Sequence, residues 1–258
     1  MTSTIEAVAT LIGDAKRIVV FTGAGISAES GIPTFRDPLT GIWARHDPEK
    51  LETASAFRAD AALVWGWYLW RRAQVARAEP NAAHLAIVQL AKTREVTVVT
   101  QNIDDLHERA GSTDVIHLHG SLAQPKCFAC HRIPAEQPFE NPIASEGLRI
   151  EPPRCPRCKG KLRPGVVWFG EDLPAAAWKR AILATKGCDV LLSIGTSGVV
   201  FPAAEIPIIA QQSGAYVVHI NPAPVAHQSS RVFCLIGRAA EQVPALVSLI
   251  GSTHLLPH

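Results

Sequence analysis

The sequence predicts an α/β protein, a doubly wound parallel sheet carrying a smaller domain built from insertions, and three observations support this. Short β-branched runs, "RIVVFT" (17–22), "VTVVT" (96–100), "CDVLLSIG" (188–195) and "AYVVHIN" (215–221), end in Gly, Thr or Asn. They read as buried parallel strands. Segments of helical length lie between them, such as 81–92 and 175–186, and that alternation is the signature of a sheet whose ligands bind outside the carboxyl ends of its strands. Finally, two stretches break the alternation: 36–79, helical and rich in Trp, and 121–165, rich in Pro, Cys and Arg with little periodicity.

At 258 residues the chain can bury a full core, and one large domain with a smaller insert is favoured over two independent ones. Twenty-five Lys and Arg against 23 Asp and Glu leave a net charge of +2 without a long run of one sign, which argues against a nucleic-acid partner. Glu6 and Asp14 interrupt any basic-then-apolar leader, and no apolar run approaches the roughly 20 residues that span a bilayer. A soluble, cytoplasmic protein is expected, without a membrane partner and monomeric.

The first strand runs into Gly23-Ala24-Gly25-Ile26-Ser27-Ala28. This fits a dinucleotide fingerprint with Ala in the third place, where glycines let the backbone approach a pyrophosphate and the next helix offers its amides. A lone fingerprint of this kind marks a tight strand-to-helix turn at least as often. The acidic residue that normally follows about 20 positions on is missing, because Asp47 and Glu49 lie in an irregular stretch, and an ordinary dehydrogenase is disfavoured. Asn221, ending the run 215–221, is then the candidate for the adenine ribose.

"TQNIDDLHERAG" (100–111) places Asn102 and Asp104 at a strand end, and "HLHGS" (117–121) follows, with His119 beside Gly120. Taken alone, His119 reads as a hydrogen-bonded structural histidine, as do His84, His107 and His117, while Asp105, Glu108 and Arg109 read as a solvated helix face. Next come Cys127 and Cys130, then 24 residues, then Cys155 and Cys158. Two such pairs in a reducing compartment suit one closed tetrahedral zinc site of four thiolates, structural because no position is left for water. Redox dithiols are the weaker alternative, since neither pair opens a helix after a strand. Cys188 and Cys234 sit in strand-like runs and read as buried.

These segments, with "GIPTFRD" (31–37), "GVVWFGEDLP" (165–174), "GTS" (195–197), "INP" (220–222) and "GRA" (237–239), resemble in order the sirtuins, the NAD-dependent protein-lysine deacylases. The resemblance covers nearly the whole chain. It implies a Rossmann-like part over about 1–35, 80–120 and 166–258, with small-domain insertions over about 36–79 (helical, cofactor loop) and 121–165 (zinc module). NAD would be consumed as a co-substrate: the acyl oxygen of a modified lysine attacks the nicotinamide ribose and nicotinamide leaves. An alkylimidate forms, and His119, as general base, takes a proton from the ribose hydroxyls. Asn102 is the second catalytic position.

Further NAD contacts are implied for Gly23, Ala24, Gly25, Phe35, Arg36, Gln101, Asn102, Ile103, Asp104, Gly195, Thr196, Ser197, Asn221, Pro222, Ala223 and Ala239. Val167, Trp168, Phe169 and Gly170 would pair edge-on with an extended acyl-lysine peptide, the aromatics lining the acyl tunnel. The partners are acyl-lysine proteins. Two other uses of the scaffold are a mono-ADP-ribosyltransferase and an NAD-sensing module without catalysis.

Tyr68 and Arg71 stand three apart on a helical segment, and therefore on one face. They resemble the Tyr-x-x-Arg pair of the sirtuin branch that removes succinyl and malonyl groups, where a guanidinium fork can grip a terminal carboxylate. Glu52 stands where that branch has a small Ala. Facing the acyl chain it would repel a carboxylate; facing solvent it would change nothing.

Overall fold

A computed structural model describes residues 4–33, 51–135, 149–225 and 229–253; Phe35 and Arg36 lie outside them. Six parallel strands form the main sheet: β1 (Arg17–Thr22), β2 (Glu95–Thr100), β3 (Val115–His117), β6 (Val190–Ile194), β7 (Tyr216–Asn221) and β8 (Val232–Ile236), in the order β3-β2-β1-β6-β7-β8. The order reverses at β1, and ligands gather at such switch points. The predicted fold class is the one observed.

Period-2 alternation explains why β1 reads as an unbroken apolar run. Ile18 and Val20 enter a core shared with Val8 and Ile12 of α1 (Ile5–Gly13), Ile87 and Leu90 of α4 (Ala82–Leu90), and Val243, Leu246 and Ile250 of α8 (Ala239–Thr253). Val19 and Phe21 face the other way, toward Ala181 of α6 (Ala175–Gly187) and Ile206 and Ala210 of α7 (Ile206–Gln212). Each face of the sheet therefore has its own helix layer.

A separate core joins the two stretches that break the alternation. Phe57 of α2 (Ala54–Ala59) and Val64, Trp67 and Tyr68 of α3 (Ala61–Arg77) pack with Leu122, Val166 and Trp168. Helix α3 is buried at every position from Val64 to Leu69, and its polar residues Arg71, Arg72, Gln74 and Arg77 follow in the partly exposed C-terminal half. Beside it β4 (Gly120–Cys127) pairs antiparallel with β5 (Leu162–Val166), the register shifting between Ser121 and Lys126. Leu106, which opens α5 (Leu106–Ala110), links this core to the sheet. Among the described residues no helix is long and apolar enough to cross a membrane.

Candidate active site and metal centre

Because the strands are parallel, the loops after β1, β2, β6 and β7 leave from one edge, and backbone bonds hold them in rank. Gly23 and Gly25 donate to Ile194 and Gly195 at 3.1 and 3.0 Å, Gly195 to Ile220 at 3.0 Å, and Gly237 to Asn221 at 3.0 Å. A Cβ on Gly25 would lie 2.6 Å from Gly195 Cα, and one on Gly23 2.8 Å from Gly195 O. The glycines thus serve backbone-to-backbone packing as well as leaving the loop bare. Ala24 and Gly25 are half-buried, Thr196 half-buried, Ser197, Pro222 and Ala223 exposed, and Asn221 half-buried at the β7 end. Ala239 opens α8, whose Ala240 amide donates to Glu29 at 2.7 Å. An open row of backbone and small polar groups at this edge fits a dinucleotide.

After β2, the Gln101 amide bonds the Thr22 carbonyl at 2.9 Å and the Leu118 amide bonds Thr100 at 2.9 Å. Buried Asn102 donates through Nδ2 to Ser27 Oγ at 3.1 Å, and Ser27 donates to Asp104 at 3.0 Å. The other Asp104 oxygen accepts the Leu106 amide at 3.2 Å. Burial raises the Asp104 pKa against these bonds. Asn102 and Asp104 are therefore pre-positioned through Ser27, which the sequence reading did not single out; Ile103 lies between them, half-buried. Asn81, capping α4, fixes the same loop by donating to Ile26 O at 2.7 Å and Ser30 Oγ at 3.0 Å.

Two histidines one strand period apart end in opposite states. His117 meets the Asn102 carbonyl through Nδ1 at 3.0 Å and the Glu108 carboxylate through Nε2 at 2.7 Å. Both partners only accept. Although burial opposes it, Glu108 raises the His117 pKa, so Glu108 has a partner and is not the plain solvated group expected. His119 meets one acceptor, the Gln101 carbonyl, at 3.0 Å through Nδ1. Nδ1 must then carry the proton, leaving Nε2 with its lone pair, and burial lowers the pKa. The neutral form of His119 is favoured, with its proton on Nδ1.

The His119 carbonyl accepts the Val167 amide at 2.8 Å, joining this histidine to the run 165–170. Trp168 is buried and Phe169 is 46% exposed. Arg163, at 2% exposure, holds this run: it stacks 3.3 Å from the Trp168 ring centre, donates to the Val166 carbonyl at 2.9 Å, and pairs with Glu171, which also accepts the Trp168 amide at 3.0 Å. The Arg163–Glu171 brace was missed in the sequence. Gly170 has φ +82°, a turn conformation open to glycine.

The Tyr68 hydroxyl accepts the Trp168 indole N–H at 2.9 Å. Arg71 binds Glu52, Nη1 to Oε1 at 2.8 Å, with side-chain exposures of 21% and 11%. Glu52 thus faces neither solvent nor open space.

The Sγ atoms of Cys127, Cys130, Cys155 and Cys158 all lie within 4.8 Å of one another, with Cys127 to Cys158 at 3.4 Å and Cys130 to Cys155 at 3.9 Å. Zn–S bonds of about 2.3 Å in a tetrahedron require sulfurs about 3.8 Å apart. The four thiolates fit one zinc ion and leave no open position.

A switch-point edge of strand-end loops, a half-buried histidine bonded to the segment 165–170, and a closed four-cysteine centre are the parts of an α/β nucleotide-binding protein with a structural metal site. A Sir2 family model matches residues 23–202, and the chain belongs to the Sir2 family. It is 62% identical over 230 residues to "NAD-dependent protein deacylase 4" of Pseudomonas syringae pv. tomato, covering 88% of this chain and 90% of that one. It is 57% identical over 257 residues to "NAD-dependent protein deacylase" of Pseudomonas putida, covering 99% and 98%. Among solved structures, a mutant Sir2 homologue in complex with 2′-O-acetyl ADP ribose superposes with a TM-score of 0.85 at 41% identity, covering 96% of this chain and 97% of the other.

Proposed function

We infer that this chain is an NAD-dependent protein deacylase, removing acyl groups from lysine side chains of proteins and releasing nicotinamide, O-acyl-ADP-ribose and free lysine. The observation that carries the reading is His119: a base of fixed tautomer, hydrogen-bonded through its own carbonyl to Val167 of the segment proposed to hold the peptide. NAD, when bound, supplies the electrophilic ribose carbon. His119 Nε2 accepts the ribose proton at a pKa below the ordinary histidine value. Asn102 and Asp104, oriented by Ser27, hold the nicotinamide side; Gly23, Gly25, Gly195, Ser197, Asn221 and Ala239 hold the phosphates and adenosine. Val167, Trp168, Phe169 and Gly170 pair with the peptide.

In this reading the chain divides into a Rossmann-like part over about 1–35, 80–120 and 166–258 and small-domain insertions over about 36–79 and 121–165, so that peptide and dinucleotide approach from different layers. The acyl range includes acetyl and, through Tyr68 and Arg71, carboxyl-ended groups such as succinyl and malonyl. Incubating acetyl- and succinyl-lysine peptides with NAD and the protein, followed by mass spectrometry, tests the reading. O-acyl-ADP-ribose and free lysine are expected. ADP-ribosylated protein without O-acyl-ADP-ribose, or unchanged NAD, overturns it.

A further inference from the structure

Arg71 is the cation of the Tyr-x-x-Arg pair proposed to grip an acyl carboxylate, and the chain has placed a carboxylate of its own there. Glu52 lies immediately before Thr53, whose side chain caps α2 by accepting the Ala56 amide at 3.1 Å. The Glu52 carbonyl accepts the Phe169 amide at 2.9 Å. The cap on one side and the peptide-binding segment on the other fix the backbone of Glu52, and its side chain reaches Arg71 Nη1 at 2.8 Å. The Arg71 guanidinium carbon lies 5.2 Å from the Trp67 ring centre, so cation, carboxylate and aromatic form one half-buried cluster. Tyr68, on the same face of α3, has its hydroxyl engaged by Trp168, and after burial the next cause raising its pKa is the charge of Glu52.

We propose that Glu52 is a specificity-determining residue, an internal carboxylate that occupies Arg71 and competes with the terminal carboxylate of an incoming acidic acyl group. The proposal rests on the deacylase reading and deepens it. A succinyl or malonyl carboxylate must either displace Glu52 from its guanidinium or lie beside it as a like charge in a partly dry site, and both cost affinity. A neutral acyl group meets an already balanced ion pair and pays neither penalty. The parent protein therefore handles acidic acyl groups as a minor activity and neutral ones as the major one.

The test begins with the unaltered protein. Succinyl-lysine and succinamoyl-lysine peptides differ only in a terminal carboxylate against a neutral amide of nearly the same shape, and kcat/KM is expected to favour the amide by about tenfold or more, the worth of one charge-assisted hydrogen bond. Glu52→Gln should reverse this, raising kcat/KM for succinyl-lysine relative to acetyl-lysine by about ten- to a hundredfold. Adding Arg71→Met to Glu52→Gln should remove that gain, which a merely structural ion pair would not require. Equal turnover of succinyl and succinamoyl peptides by the parent overturns the proposal, as does an unchanged succinyl-to-acetyl ratio in a folded Glu52→Gln protein. Should the parent deacylate none of the peptides, the function reading itself fails, an outcome distinct from these.

Discussion

His119 and His117 are separated by one residue, yet their hydrogen bonds alone set them apart. Two acceptors favour the protonated form of His117, and one acceptor with burial favours the neutral form of His119, the form the proposed base must have. The chemistry needs the second kind, because a charged imidazole has no lone pair to take a proton. His119→Asn keeps a donor for the Gln101 carbonyl and removes the base, so kcat should fall by about a hundred- to ten-thousand-fold while the melting temperature stays close to the parent's. Since burial lowers the His119 pKa, the acid limb of kcat/KM in the parent should lie below the ordinary histidine value of about 6.5. Residual activity within tenfold of the parent, or an acid limb above 7, would show that another group is the base.

At the scale of elements, the hairpin of β4 and β5 sets the position of the segment 167–170, proposed to bind the peptide, because Val166 ends β5 and Val167 follows it onto His119. Pro125, Pro164 and a register shift weaken that hairpin, and the four cysteines tie its far end. Replacing Cys155 by Ser should release about one equivalent of zinc per chain, lower the melting temperature, and reduce activity as a consequence. Metal analysis of the parent showing no zinc would refute the four-thiolate reading. The zinc pairs were legible in the sequence because CxxC spacing is local chemistry, and the four main strands because burial on both faces leaves a continuous apolar run. Strand β3, three residues long, and the β4–β5 pairing were not, since their partners are fixed by distant contacts. Ser27 and the Glu52–Arg71 contact escaped for the same reason: 75 residues separate Ser27 from Asn102 and 19 separate Glu52 from Arg71, whereas Arg163 and Glu171 are only eight apart and escaped because no local period reports which way such side chains turn.

Across the molecule, the dinucleotide edge is supported from beneath by a buried histidine pair, which ties the stability of the fold to pH. His84 of α4 and His107 of α5 meet edge-on, ring centres 4.9 Å apart, and are 0% and 1% exposed. His107 Nε2 donates to Thr22 Oγ1 at 3.0 Å; that hydroxyl donates to Thr100 Oγ1 at 2.8 Å, which also accepts the Asn102 amide at 3.0 Å. Burial lowers the His84 pKa from 6.5 to about 4 and the His107 pKa to about 3. Both rings are neutral in the fold and gain protons more readily when unfolded. Their contribution to stability is complete above pH 6.5 and declines as the pH falls toward 4, by an amount on the order of 3 kcal/mol for a ring like His84. His117 runs the other way: its raised pKa gives stability that is complete below 6.5 and lost as the pH climbs through its folded value. These three groups together put the maximum near the ordinary histidine pKa, with different residues responsible for the two sides. Urea midpoints measured from pH 4.5 to 8.5 should show the acid side flattened by His84→Leu, which removes one titrating ring at similar volume, and the alkaline side flattened by Glu108→Gln, which leaves His117 without its anion. An acid side of unchanged slope in His84→Leu would show that protonation of this buried ring does not limit the fold, and that the junction beneath Asn102 tolerates charge.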